Sequence, residues 1–257
     1  MAIGYAGLAL LFFLTATLYA SVGFGGGSTY IALLALAELD YRLLPIIALL
    51  CNIIVVLGGS LRFQRNQLIN WAKIWPILIL SVPAAWIGGR LDIDQTSFLI
   101  LLGVSLAAAG LLLLAEPLFQ TARALKDDHW VRSRWFSPLT GAMIGFVSGL
   151  VGIGGGIFLA PILLLTRWGD SRHVAAAASI FILINSISGL IGQMMKGQWT
   201  QADAILLDYW PLFLAVLVGG QIGSVMASKA LPEQWIRRLT AILILYVALR
   251  ILAQQIH

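Results

Sequence analysis

Gly23-Phe24-Gly25-Gly26-Gly27-Ser28 breaks the first apolar stretch of the chain, and Gly152-Ile153-Gly154-Gly155-Gly156-Ile157 breaks a later one in the same way. The two phrases stand 129 residues apart in a chain of 257, so each half carries one. Consecutive glycines are poor helix, because glycine gives up more backbone freedom than any other residue and brings no side chain to pack. Inside a bilayer a broken helix survives only where protein or a water-filled cavity surrounds it. Matching breaks in two halves of a membrane chain point to the substrate site of a secondary transporter.

The composition fixes the setting. Sixty per cent of residues are hydrophobic, 11% are charged, and mean hydropathy is +0.94. A soluble domain carries roughly twice that charged fraction. An all-α integral membrane protein is expected, with residues 1–257 forming a single transmembrane domain in the cytoplasmic (inner) membrane. The net charge of +5 lies in short loops, where it serves orientation and lipid contact, not nucleic-acid binding. Cys51 is the one cysteine, which excludes an intrachain disulfide, and its apolar neighbours mark a small core residue. No basic segment precedes the first apolar run, so residues 4–22 are expected to remain as a membrane helix.

Ten apolar segments can be marked, at 4–22, 28–37, 43–61, 73–89, 97–115, 138–151, 157–166, 174–195, 208–227 and 236–253. A full crossing takes about 20 helical residues. Segments 28–37 and 157–166 span only about 15 Å as helix. Residues 4–37 and 138–166 therefore read as hairpins tipped by the glycine phrases and meeting near the midplane.

Twelve of the 16 basic residues fall in loops 62–73, 116–137, 167–173 and 228–238. Arg42, Arg90, Lys196 and Arg250 fall on the other side. Placing the first group in the cytoplasm satisfies the positive-inside rule and leaves both termini outside. The halves match further: Trp75-Pro76 with Trp210-Pro211 and Gly88 with Gly223 at offset 135, and Asn52 with Asn185 at offset 133. Residues 1–115 and 138–257 thus read as two inverted-topology repeats of five segments, joined by a cytoplasmic loop, 116–137.

Helices are expected to start at Ser28 and Ile157. The first turn of a helix has unpaired N–H groups and a partial positive charge. Glycines before it let successive N–H groups converge into a nest that holds oxyanions. The expected substrate site comprises Gly23, Gly25, Gly26, Gly27 and Ser28, then Gly152, Gly154, Gly155, Gly156 and Ile157, with Asn52 and Asn185. Thr29, Ser148, Ser186 and Gln193 are further polar groups within reach. Glycines also let membrane helices pack closely, and that reading is preferred for Gly58-Gly59, Gly88-Gly89 and Gly219-Gly220. Asn52 and Asn185 serve equally well as interhelical hydrogen-bond partners. His173 reads as a loop-end residue, and Glu38, Asp40, Asp92, Asp94, Asp203 and Asp208 as interfacial caps. No carboxylate lies deep in an apolar segment. No nucleophile triad, metal cluster or P-loop is present, so neither an enzyme nor a cofactor is expected.

The two phrases, together with Ser148-Gly149-Leu150-Val151 before the second and Pro161 after it, resemble the TauE/SafE family of sulfite and organosulfonate exporters. The resemblance spans essentially the whole chain. It departs at position 32, where Ala32 stands in the place matching Pro161. It implies a small sulfur oxyanion as substrate (sulfite, sulfoacetate or a related sulfonate), exported by alternating access, with the lipid bilayer as partner and self-association open. A channel-like or importing permease of the same fold, and a non-transporting assembly protein, are the alternatives. The charge pattern makes a direct prediction. Cysteines placed at Gln67 and Ser133 of a Cys51-free chain are expected to resist an impermeant thiol reagent on whole cells. Labelling from outside at either position overturns the orientation.

Overall fold

Apolar segments become helices almost residue for residue in the computed structural model, which describes residues 5–21, 23–122, 136–166, 168–196, 202–226 and 233–256. The helices are α1 (Tyr5–Ser21), α2 (Gly27–Leu36), α3 (Leu43–Arg65), α4 (Trp71–Arg90), α5 (Gln95–Ala122), α6 (Phe136–Val151), α7 (Gly156–Leu165), α8 (Ser171–Met194), α9 (Ala202–Met226) and α10 (Glu233–Ile256). Leu43–Arg65, Trp71–Arg90, Gln95–Ala115 and Arg172–Met194 are long and apolar enough to cross a membrane. Leu111, Met143, Val225 and Leu249 point outward, as side chains facing lipid do.

The boundaries differ where charge and capping decide them. Arg62 and Arg65 lie in the last turn of α3, not in a loop, where cations meet the negative end of the helix dipole. Helix α5 continues to Ala122, seven residues past the end of its apolar segment, since the hydrogen-bond ladder does not stop where hydrophobicity does. The remainder of the expected loop 116–137, with Ser133, lies outside the described residues up to Phe136. His173 sits in the first turn of α8, not at a loop end. The Asp170 carboxylate accepts from the His173 N–H at 2.9 Å and meets its Nδ1 at 2.7 Å. The His173 N–H holds that carboxyl below its ordinary range. Asp94 accepts from Ser97 N–H at the start of α5, the cap role expected of it.

Each glycine phrase turns the chain back along the helix it has just left. A Cβ on Gly26 would lie 3.1 Å from Thr15 of α1, and Tyr30 of α2 stacks on Phe12 at 4.8 Å. A Cβ on Gly155 would likewise lie 2.9 Å from Ile144 and 3.4 Å from Ser148 of α6. Helices α3 and α8 are the most enclosed of the four long spans and pack on each other. Around them α1 packs on α9 and α6 on α4, α8 on α4 and α3 on α9, α10 on α2 and α5 on α7. Exchanging every helix with the one five places away turns each of these pairs into another on the same roster. The link after α2 joins α10 through Arg250 and Glu38 at 3.5 Å, and Lys73 at the start of α4 reaches Trp168 O after α7 at 3.1 Å.

Small residues make the closest of these contacts possible. Gly141, Gly145 and Gly149 recur every four residues on α6. A Cβ on them would lie 2.1, 2.3 and 1.9 Å from the carbonyl oxygens of Ile77, Ser81 and Ala85 on α4. Gly219 and Gly223 of α9 stand in the same way against Phe13 O and Thr17 O of α1, at 2.5 and 2.1 Å. Backbone-to-backbone packing of this kind supplies van der Waals attraction where lipid removes the hydrophobic driving force. Gly88 and Gly89 fit it too, at 2.1 Å from Phe146 O and 2.3 Å from Gly189 O. The pair Gly58-Gly59 does not. Gly58 faces only the side-chain end of Gln221, and the nearest neighbour of Gly59 is Ser179 Oγ at 3.7 Å. Gly149→Ala is therefore expected to destabilise the protein by about 1–3 kcal/mol, the usual cost of overpacking. Gly59→Ala should leave the melting temperature in detergent unchanged, and equal losses at both positions would remove the packing argument.

Candidate functional site

Two helices begin in the interior with nothing capping them. Gly26 is the residue before α2, at φ 85° and ψ 8°, and Gly155 is the residue before α7, at φ 75° and ψ −15°. Left-handed backbone of this kind favours glycine, since a Cβ would crowd the following carbonyl. Neither helix has a side-chain cap. The third N–H of each turns inward, from Thr29 to Gly26 O at 2.9 Å and from Phe158 to Gly155 O at 3.1 Å. The first two, on Gly27 and Ser28 and on Gly156 and Ile157, have no carbonyl within their own helix to bind. Both helices thus start one residue earlier than Ser28 and Ile157, and each is ten residues long. Pro161 lies inside α7 without shortening it relative to α2.

The glycines of each phrase divide the work. Gly23, at φ 85°, ends α1 as a Schellman turn: Phe24 N–H binds Tyr19 O at 2.9 Å and Gly23 N–H binds Ala20 O at 3.2 Å. Gly152, at φ 88°, ends α6 through a single bond to Ser148 O at 2.8 Å. The N–H groups of Gly23 and Gly152 are therefore committed to closing the preceding helices. The donors left for a ligand are those of the later glycines and of Ser28 and Ile157.

The two tips meet around Asn52, whose side chain is fully buried on α3. A Cβ on Gly25 would lie 2.6 Å from Asn52 Oδ1, and on Gly27 2.3 Å from Asn52 Nδ2 and from Ile153 O. On Gly154 it would lie 2.5 Å from Asn52 Nδ2. Asn52 Nδ2 donates to Ile153 O at 3.3 Å, so a residue of the first half holds the tip of the second. Asn185, its counterpart on α8, donates instead to Phe181 O of its own helix at 2.9 Å. Ile182, one turn earlier, supplies the contact from α8: its side chain would meet a Cβ on Gly25, Gly154 or Gly156. Asn52 Oδ1, Asn185 Oδ1, Ser148 Oγ, Ser186 Oγ and Tyr30 OH are buried without a hydrogen-bond partner. Buried polar atoms are nearly always paired, so Asn52 Oδ1, Ser148 Oγ and Tyr30 OH, which adjoin the phrase glycines, are candidates to bind a further group. Gln193 is not part of it, since its Nε2 binds Gly149 O and Leu150 O.

The tips differ in polarity. Ser28, Thr29 and Tyr30 begin α2, with Thr29 Oγ1 2.8 Å from Tyr19 OH. Ile157, Phe158 and Leu159 stand at the same places in α7. Two N–H-bearing helix starts with no lysine or arginine beside them suit a small anion, because the partial charges stay in place when it leaves.

The sequence pattern described as "Sulfite exporter TauE/SafE" matches residues 8–251. The chain belongs to the TauE/SafE family. It is similar to the probable membrane transporter protein y4hK of Sinorhizobium fredii, at 33% identity over 96% of this chain and 97% of that one. The probable membrane transporter protein YunE of Bacillus subtilis is 24% identical over 93% of this chain and 94% of its own length. A probable membrane transporter protein of Methanocaldococcus jannaschii is 31% identical over 52% of this chain and 49% of its own. No solved structure matches. A multi-pass membrane transporter of the TauE/SafE family accounts for the apolar helices and the broken pair alike.

Three contributors to this candidate site escape the sequence. Ile182 is one aliphatic residue among many. The Ile153 carbonyl has no side-chain signature. Tyr30 carried a signal, since a phenol deep in a ten-residue apolar segment is too far in for an interfacial belt. Gly26→Val and Gly155→Val are expected to lower transport at least about 100-fold while protein still reaches the membrane. A β-branched residue at positive φ must move the helix start, and a displacement of about 1 Å can cost that factor. Gly58→Ala, which meets only the movable end of Gln221, should keep most activity. Equal loss in all three at normal abundance would count against the site.

Proposed function

We propose that this protein is a secondary transporter that exports a small organosulfur anion across the cytoplasmic membrane by alternating access. The anion binds where the two glycine tips converge on Asn52. The observation that carries the reading is the pair of uncapped helix starts meeting in a buried, under-bonded centre. Gly25, Gly26, Gly27 and Ser28 and Gly152, Gly154, Gly155 and Gly156 are all buried, which supports an enclosed centre. An enclosed site favours a carrier over an open pore.

The exchange of helix contacts under a shift of five supports two inverted repeats, 1–115 and 138–257, with the tips near the midplane. Rocking one half against the other then opens the same site to either side. The orientation follows from the basic loops, with the connecting segment inside and both termini outside. The organosulfur class and the direction rest on the family description and on the fit of a nest to an oxyanion. Sulfonate is the fuller match to a site with one hydroxyl-lined tip and one apolar tip, since it pairs an oxyanion head with an organic tail.

A monovalent anion leaving a cell that is negative inside gains about 2.3 kcal/mol per 100 mV, enough for roughly a 50-fold gradient. Membrane potential is therefore a sufficient driving force. In liposomes holding the purified protein, sulfite or a short sulfonate should move with saturation and counterflow. Potentials set with valinomycin should change the rate with the sign of net negative charge leaving. Flux indifferent to voltage but dependent on a pH gradient would replace this driving force with proton coupling. Absence of flux for every sulfur oxyanion would remove the substrate class.

A further inference from the structure

A separate cleft lies at the end of the molecule where the α2–α3 link, the α4–α5 link and the end of α8 come together. Tyr41, Arg42, Pro45, Asp92, Gln193 and Lys196 line it. Two of its groups are cations, and neither makes a direct ion pair among the described residues. Lys196 is half-buried, and its ammonium makes no ion pair or hydrogen bond among the described residues. A lysine near a membrane surface ordinarily extends its head to water. Here burial pushes the Lys196 ammonium below the usual lysine range, and Asp92 draws it back. Arg42 is held in place from one side. Its Nε donates to Tyr41 OH at 3.2 Å, and its guanidinium lies over the Tyr41 ring at 5.5 Å from the centroid. The guanidinium makes no ion pair among the described residues, which leaves its outer N–H groups available. Asp40 acts on Arg42 through space, and Asp92 on both cations, without an ion pair to either among the described residues.

The floor of the cleft is the back of the second glycine tip. Pro45 presses on Gly152, where a Cβ would lie 2.4 Å from Pro45 Cα. Gln193 Nε2 holds Gly149 O at 2.9 Å and Leu150 O at 3.2 Å, the last turn of α6 before that tip. One layer of side chains therefore separates two unpaired cations from the candidate site.

We propose that this cleft is a second anion site, in which Arg42 and Lys196 hold a small oxyanion at the mouth of the route to the second glycine tip, with Pro45 and Gln193 as its floor. Its place on the export route rests on the function proposed above, but its ability to bind does not. The forked guanidinium and the point-charge ammonium suit a sulfate-like or sulfonate-like group. A lipid phosphate offers the same chemistry. The contact of the floor with the glycine tip favours a free anion.

The test reads binding without transport. The full-length protein in phosphatidylcholine nanodiscs is acetylated with an N-hydroxysuccinimide ester, and each lysine is followed by mass spectrometry. Millimolar sulfate or methanesulfonate, compared with chloride at equal ionic strength, should slow Lys196 about five-fold, the factor that a modest charge-assisted contact supplies. Lys73, at the opposite end of the molecule, should be unaffected. Arg42→Gln, at an exposed position, should abolish the protection while the melting temperature is retained. Equal Lys196 rates in sulfate and chloride overturn the site. Protection that appears only when phosphatidylglycerol is added, with no effect of sulfate, overturns it in favour of a lipid headgroup. Sulfur-oxyanion flux that fails while sulfate still protects Lys196 counts against the transport reading alone.

Discussion

A helix that starts inside an apolar interior leaves N–H groups where water cannot reach them, and this protein does so twice. Everything around the two glycine phrases follows from accommodating those groups. The chain must double back, so Gly23 and Gly152 close the helices before the break with their own N–H groups. The later glycines must turn left-handed, which Gly26 and Gly155 do immediately before α2 and α7. The tips must be enclosed, and α3 and α8 provide the enclosure. What remains beside the tips is a small set of candidate donors and acceptors, among them Asn52 Oδ1, Ser148 Oγ and Tyr30 OH.

Enclosure demands close packing, and the remaining glycines provide it. The stripe on α6 lets α4 approach until backbone touches side-chain-free backbone, and Gly219 and Gly223 let α9 do the same with α1. These contacts hold together helices from different halves. Contact of this kind relies on van der Waals attraction between closely approaching backbones more than on directed bonds. The directed bonds across the halves are few and local, among them Asn52 to Ile153 O, Ser60 to Ser179, and Arg62 to Ser224 and Gln221.

The likeness of the two halves is one of backbone more than of chemistry. Gly26 and Gly155 share a conformation, and α2 and α7 share a length, yet one helix begins with hydroxyls and the other with aliphatic and aromatic side chains. Asn52 reaches across to the opposite tip whereas Asn185 binds its own helix. The two glycine phrases therefore give two helix starts of like backbone geometry. Divergent side chains make the two helix starts unlike in polarity.

The sequence by itself determined the membrane class, the order of the ten helices with most of their ends to within three residues, and the two interior breaks. Each of these depends on local chemistry: run length against bilayer thickness, glycine against helix, charge against lipid. It also carried the family, through the two phrases. It misread Gly58-Gly59 as packing, because a glycine pair says nothing about what stands opposite. Only the tertiary structure decided that Gly141, Gly145 and Gly149 are the packing stripe, that Gly23 and Gly152 cap helices, and that Ile182 and the Ile153 carbonyl lie at the centre. Only it brought Arg42 and Lys196 to one cleft from positions 154 residues apart. The physical reason is the same in each case. Spacing along a chain fixes which residues share a helix face, whereas the neighbour across an interface is fixed by how the helices cross.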